Sequence, residues 1–284
     1  MRIFGVDFTS TPRHGKPIAC ASTVLESGSL HVHCLAALAN LDTFENFLNS
    51  QGPWVAGLDF PFGQPRQLLE NLGWPMSWEG YVERSATLGM QGFEDALRDN
   101  NERRSPRDEQ HWRNVDLQAD ALTPRPALKV PVSRLFQCAA PFLKRSMVSV
   151  LPCRPRADER VVLEAYPALV ARRLIGQKHY KADVSVGHSQ SLTDARRELV
   201  NGLVAQTLRD EFGVRIVIDP AIREELIEET SADSLDSVLC ALQAAWSWTR
   251  REHGWGIPDQ VDPLEGWIVD PGLGRSEESA PVSH

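Results

Sequence analysis

The chain has 284 residues, 42% hydrophobic and 24% charged, enough to bury one large core or two small ones and too apolar for a disordered protein. A formal net charge of −8 and a pI near 5.5 exclude a whole-molecule field that gathers polyanions, so contact with nucleic acid requires a local basic surface. Five scattered cysteines (Cys20, Cys34, Cys138, Cys153, Cys240) without a C-x-x-C pair argue against zinc and read as reduced thiols of a cytoplasmic protein. No run approaches the roughly 18 apolar residues of a membrane span, and the opening MRIFGVD enters a strand pattern with no signal-peptide core.

In chain order, Ile3 to Phe8, Ile18 to Leu25 and Leu30 to Leu35 read as three sequential strands, the last two joined by the hairpin signal Glu26-Ser27-Gly28-Ser29. A helix follows from Asp42, taken as its N-cap, to Leu48, and Gly52-Pro53 ends it before a fourth strand, Trp54 to Asp59. The order β-β-β-α-β predicts an α/β core with a mixed sheet. From about residue 62 to 149 the rhythm is lost and Pro, Arg and Trp accumulate, which reads as a mostly helical or irregular insertion, with Arg98 to Arg113 as a solvated loop or frayed helix. A fifth strand, Arg160 to Glu164, leads to a helix from Tyr166-Pro167 to about Ile175, then to long helices over Leu192 to Phe212 and Ser231 to Arg251. These elements fit one domain over residues 1–270, with 271–284 as a disordered tail rich in Gly, Ser, Pro and Glu.

Two strands end in nearly the same words, Gly5-Val6-Asp7-Phe8 and Gly57-Leu58-Asp59-Phe60. Residues two apart share a strand face, so in each a glycine leaves room beside the aspartate for something to approach. Glu164 also closes an apolar run, and Asp233 and Asp236 lie three apart at the start of the last long helix, on one face. Taken singly, Asp59, Glu164 and Asp233 read as turn or helix caps; an acid inside the first strand, as Asp7 is, is costly without a purpose. Two carboxylates about 4 Å apart repel by roughly 4 kcal/mol at an effective dielectric of 20, so a gathered set needs a cation or a shared proton. Mg²⁺ or Mn²⁺, hard and oxygen-loving, is the natural counterpart.

Other features carry less. Lys129, Arg134, Lys144, Arg145, Arg154, Arg156 and Arg160 make a basic stretch in an acidic chain, either a phosphate track or a solvated surface, and Lys178, Tyr180 and Lys181 are further candidates for substrate phosphates. His31 and His33 share a strand face but lack a third ligand nearby. Gly15-Lys16 lacks the spacing of a P-loop. Trp74, Trp78 and Trp112 read as packing residues of the insertion before they read as base-stacking ones.

Gly5-Val6-Asp7, Gly57-Leu58-Asp59 followed by Phe60-Pro61-Phe62-Gly63, Glu164-Ala165-Tyr166-Pro167, and Asp233-Ser234-Leu235-Asp236-Ser237-Val238-Leu239-Cys240-Ala241-Leu242 together resemble the domain-of-unknown-function family numbered four hundred and twenty-nine, described as predicted nucleases. The resemblance spans roughly Met1 to Val269 and implies an RNase H-like core with a mixed five-stranded sheet flanked by helices. It also implies Asp7 as principal metal ligand, with Asp59 or Glu164 and Asp236 completing the site. The expectation is a metal-dependent nuclease with catalytic Asp7, Asp59, Glu164 and Asp236, metal held by Asp7, Glu164, Asp236 and Asp233, and a nucleic acid or nucleotide substrate met by Arg134, Lys144, Arg145, Lys178 and Lys181. The alternatives are a phosphotransferase of the actin-like sugar-kinase fold, against which Thr9-Ser10-Thr11-Pro12 stands as a poor phosphate loop, and a non-catalytic binding module.

Overall fold

The computed structural model describes residues 1–103, 112–119, 130–182 and 189–274. Strands β1 (Arg2–Asp7), β2 (Ile18–Glu26) and β3 (Ser29–Leu38) form an antiparallel meander. The β2–β3 turn places Ser27 at φ 50° and Gly28 at φ 75°, the positive-φ pair whose twist suits a two-residue hairpin. Helix α1 (Leu41–Leu48) follows. Its N-cap is Asn40 and not Asp42: Asn40 Oδ1 accepts from Thr43 N–H at 2.8 Å and Thr43 Oγ1 accepts from Asn40 N–H at 3.1 Å, a reciprocal pair that leaves Asp42 in the first turn.

Strand β4 (Trp54–Leu58) then runs parallel to β1. The predicted insertion is helical where it is described, with α2 (Arg66–Leu72), α3 (Trp78–Arg103), α4 (Asn114–Gln118) and α5 (Val130–Arg145). Helix α3 is two arms joined at Gly89, whose φ of 66° and ψ of 179° no helix contains. The tract from Arg98, expected to be a solvated loop or frayed helix, is helical to Arg103 and reaches a buried Arg113; its residues 104–111 lie outside the described residues.

The remainder comprises β5 (Ser149–Leu151), β6 (Arg160–Glu164), α6 (Pro167–Ile175), α7 (Gln190–Leu203), α8 (Gln206–Phe212), β7 (Arg215–Ile218), α9 (Pro220–Glu228) and α10 (Asp233–Thr249). The long helix expected over Leu192 to Phe212 is thus two, separated at Val204 and Ala205, where Ala205 adopts φ −73° and ψ 151°. The sheet has seven strands, not five, in the order β5-β6-β4-β1-β2-β3-β7. The two additional strands, of three and four residues, pair in parallel at the two edges and are too short to stand out as periodic runs.

Both faces of this mixed sheet are covered. One face carries Ile3, Val55 and Leu163 beneath α4 and α6 to α10; the other carries Val6, Leu58 and Val162 beneath α1, α2, α3 and α5. Beyond α10, Ile268 bridges alongside Glu164 and Val269 N–H donates to the Glu164 carbonyl at 2.9 Å. Leu273 is buried, so the chain stays packed past residue 271; the rest of the expected tail, 275–284, lies outside the described residues. No helix among them is long and apolar enough to cross a membrane.

Candidate metal centre

The centre forms where parallel strands β1 and β4 end. Val6 pairs with Leu58, and Asp59 N–H donates to the Val6 carbonyl at 2.9 Å, so Asp7 and Asp59 leave adjacent strands at the same level and on the same face. That face is the one Gly5 and Gly57 share, and the group that approaches them is helix α10. A Cβ on Gly5 would lie 1.9 Å from the Ser237 carbonyl oxygen and 2.3 Å from Ala241 N, and one on Gly57 would lie 2.4 Å from the Cys240 carbonyl oxygen. Backbone-to-backbone contact of this kind brings the first turns of α10 down onto the strand ends and turns Asp236 inward. The result is a cluster in which one carboxylate oxygen each of Asp7, Asp59 and Asp236 lies within 4.8 Å of the others.

Three acids this close are mutually unfavourable. Burial first, then the neighbouring acids Asp236, Asp59 and Asp233, push the Asp7 carboxyl well above the usual carboxylate range, with Lys181 opposing. Asp59 is pushed up to about 7, by burial and then by Asp236. Burial also raises Asp236, against the pull of Lys181 and Tyr180. Tyr180 hydroxyl donates to Asp236 Oδ1 at 2.8 Å, while Lys181 Nζ contacts Asp236 Oδ2 and stands 3.9 Å from Asp233 Oδ1. Burial works against the charge on Lys181, yet Asp236 and Asp7 hold its ammonium well above the ordinary lysine value. Asp233 is the first residue of α10 and flanks the cluster; the helix start is met by Ser231 Oγ and by Glu229 Oε2, which accepts from Ser234 N–H at 2.9 Å.

Glu164 belongs to a different environment. Its register partner on β4 is Leu58, one residue before Asp59, and with a side-chain period of two this sends Glu164 to the opposite face of the sheet. The small residue on the α10 side is Ala165, whose Cβ would meet a Gly57 Cβ at 3.3 Å. Glu164 is almost fully buried. Its Oε1 accepts from Arg113 Nη2 at 2.7 Å, and its Oε2 accepts from Arg113 Nη1 at 2.9 Å and Phe62 N–H at 2.8 Å. Arg113 also donates to both oxygens of Asp116 and to the Glu265 carbonyl. Burial raises the Glu164 carboxyl, with Arg113 pulling the other way.

The basic candidates scatter. Arg134 pairs with Glu94, Lys144 with Glu83, Arg145 with Glu45 and Lys178 with Glu198, all in exposed ion pairs of the kind that carries little energy. Arg154 is buried and donates to the carbonyls of Leu143, Lys144, Ser146 and Val148. Of the expected phosphate contacts, Tyr180 and Lys181 are the ones that reach the acids among the described residues.

Residues outside the expected set hold the frame. Asp270, fully buried, accepts from Arg173 Nη1 at 2.9 Å and Gln243 Nε2 at 2.9 Å, and Gln243 Oε1 in turn accepts from Tyr166 N–H at 2.9 Å. This ties the Glu-Ala-Tyr-Pro segment to the middle of α10. The sequence signals for it are a buried Gln on the apolar stripe of α10 and the position of Asp270 at the end of the apolar run Trp267-Ile268-Val269; Arg113 lies in a polar tract that carries none.

The sequence profile of the family described as "Protein of unknown function (DUF429)" matches residues 5–262. The chain belongs to this family. Comparison with curated proteins and with solved structures returns no match. The matched span takes in every acid of the cluster and Glu164 with its partner Arg113.

Proposed function

We propose that this DUF429 member is a metal-dependent phosphodiester hydrolase, a nuclease built on an RNase H-like core. The observation that carries the reading is the convergence of Asp7, Asp59 and Asp236 from two strand ends and a helix start, with oxygens within 4.8 Å. The fold reading is supported by the central strand order: a three-stranded antiparallel meander whose first strand is flanked by parallel β4 and then β6.

The donor set fits a hard divalent cation. It is three carboxylates held above their ordinary pKa, a state that a dication relieves and an apolar or soft ligand does not. Asp7, Asp59 and Asp236 would hold Mg²⁺ or Mn²⁺, which when bound supplies Lewis acidity to a water and to the phosphodiester oxygens. The chain's own residues do the rest. Gly5 and Gly57 set the approach of α10, Tyr180 fixes the orientation of Asp236, and Lys181, its side chain 41% exposed, offers a positive charge to an incoming phosphate.

The test is cleavage of labelled single-stranded DNA, RNA and RNA–DNA hybrid by the purified chain in Mg²⁺, Mn²⁺ or EDTA. Cleavage that needs the ion and is lost in Asp7→Asn, with circular dichroism unchanged, supports the assignment. No cleavage with either ion, or equal cleavage by Asp7→Asn, removes it. A second reading, a binding module without turnover, draws on the contact of Lys181 with Asp236, which offsets part of the acid charge internally. In that case Lys181→Met leaves a cluster with no ion response. A thermal shift with ATP and Mg²⁺ but with no ion alone would turn the reading to phosphoryl transfer.

A further inference from the structure

The two edges of the sheet are finished differently. At one, β5 is three residues long and the chain closes its outer side: Val150 N–H donates to the Arg154 carbonyl at 2.9 Å, and Arg154 N–H donates to the Val150 carbonyl at 2.6 Å. At the other, β7 is four residues long, carries an exposed Arg215, and covers β3 from Ser29 to Val32. From Cys34 to Leu38, β3 pairs with β2 alone, so the backbone groups on its outer side have no strand beside them among the described residues. Cys34, Ala36 and Ala37 are exposed in this stretch, and Leu35 and Leu38 are half-buried.

An open apolar edge templates pairing with another chain, and proteins that stay single blunt such edges with a charge, a proline or a bulge. This edge has none of them. No Asp, Glu, Lys, Arg or Pro occurs between Ser27 and Leu41, and the register shift between β2 and β3, at Ser22/Thr23, precedes the open stretch. The stretch also matches itself. Ala36 and Leu38 pair with Cys20 and Ile18, which enter the core beneath the insertion, while Leu35 pairs with Ala21, in the core beneath α10. A two-fold axis normal to the sheet through Ala36 keeps every residue on its own face. It sets Leu35 against Ala37 of the second copy and Leu38 against Cys34 of the second copy, large opposite small on both faces. An unrelated peptide would satisfy the backbone equally; this alternation of sizes, and an edge without charge in a chain of formal charge −8, select a copy of the same chain.

We propose that β3 is a dimerisation edge, along which a second copy of the chain pairs antiparallel over Cys34 to Leu38 and continues the sheet. Asp7 is level with Ala19, and Ala19 with Ala37. The dimer therefore puts its two acid clusters on the same face of one sheet, five strand spacings or about 24 Å apart. The inference rests on the edge and not on the hydrolase reading, and it holds whether or not the acids turn over a substrate.

Sedimentation equilibrium of the full chain, in EDTA so that no ion bridges the acids, tests it. The expected result is a monomer–dimer equilibrium with a Kd below about 0.1 mM. Ala36→Asp, at an exposed residue, sets two carboxylates against each other on the axis and should weaken the dimer about tenfold or more, with circular dichroism unchanged. Cross-linking reads the register. In a Cys34→Ser background, Ala36→Cys faces its own copy at a Cα separation of roughly 4.5–5.5 Å, within reach of a disulfide, and should yield a linked dimer on mild oxidation. Ala37→Cys in the same background faces Leu35 of the second copy and should not. A dimer that keeps its affinity in Ala36→Asp, or that links through Ala37→Cys in preference to Ala36→Cys, would overturn the proposal. So would a chain that is wholly monomeric at about 0.5 mM: fast amide exchange over Cys34 to Leu38 would then mean a bare edge, and slow exchange an edge covered by the rest of the same chain.

Discussion

Two sets of carboxylates sit at the ends of neighbouring parallel strands, one on each face of the sheet, with Glu164 and Asp236 buried and Asp7 and Asp59 half-buried. On the insertion side, Glu164 meets Arg113 in a bidentate pair and takes a backbone N–H besides. On the α10 side, Asp7, Asp59 and Asp236 meet each other, with one half-exposed lysine between them and solvent. A single residue of register separates the two outcomes, since Glu164 is level with Leu58 and not with Asp59. Burial alone therefore does not distinguish a functional acid from a structural one; the completeness of its partners does.

The largest effect is expected where the partners are complete. Arg113→Met leaves Glu164 and Asp116 without their counter-charge in a buried place, and should lower stability by about 3–5 kcal/mol, read as a shifted urea midpoint in metal-free buffer. If the loss is under about 1 kcal/mol, the pair is not structural and Glu164 returns to the list of candidate ligands. Next comes the contact that joins the α10 side to the sheet. Gly5→Ala drives a methyl into the Ser237 carbonyl, 1.9 Å away, and either displaces α10 or strains β1, costing about 1–3 kcal/mol. It should also reduce the thermal stabilisation given by Mn²⁺, because Asp236 moves with the helix. A variant equally destabilised but with an intact Mn²⁺ response would separate packing from the site.

The contrast also explains what could be read from the amino acids alone. The Gly-x-Asp repeats in β1 and β4 displayed both the open face and the acids on it, because a strand's period of two places them together without knowledge of any partner. The helix acids were legible for the same reason, as a spacing of three puts Asp233 and Asp236 on one face. Glu164 misled because its direction depends on register against β4, where its partner Leu58 lies 106 residues earlier in the chain, a pairing that no local pattern contains. Its partner Arg113 was hidden in a polar tract, and the edge strands β5 and β7, three and four residues long, were below the length at which alternation is visible. The meander, α1, β4, β6, α6 and α10 emerged because each combines a long apolar period with its own turn or cap signals.

Titration sharpens the comparison further. Folding raises Asp7, Asp59 and Asp236, Asp59 to about 7, above the roughly 3.9 of an unfolded aspartate. Between those values the folded chain binds more protons than the unfolded one, so its stability falls as pH rises from about 4 to about 7. Mn²⁺ should flatten that decline, and its affinity should increase with pH over the same window as protons are released. Asp59→Asn removes one repelling charge and should stabilise the metal-free protein at pH 8 by about 1 kcal/mol while abolishing the Mn²⁺ effect. Thermal unfolding at pH 5 and pH 8, with and without the ion, checks both. Asp59→Asn destabilised at pH 8 would mean that the carboxylate is satisfied and that the two faces do not differ as described.

The smallest effect concerns Lys181, the one cation that touches the cluster among the described residues. Because its side chain is 41% exposed, solvent screens much of its attraction to Asp236, and Lys181→Met should lower metal-free stability by only about 0.5 kcal/mol. Its effect on the ion has the opposite sign. The ammonium and a dication compete for Asp236, so the variant should bind Mn²⁺ more tightly, with a greater thermal shift at equal ion concentration. If Lys181 also meets the substrate phosphate, cleavage falls in the same variant even as ion affinity rises. That divergence would not come from general loss of structure, which weakens both, and it places Lys181 on the substrate side of the acids.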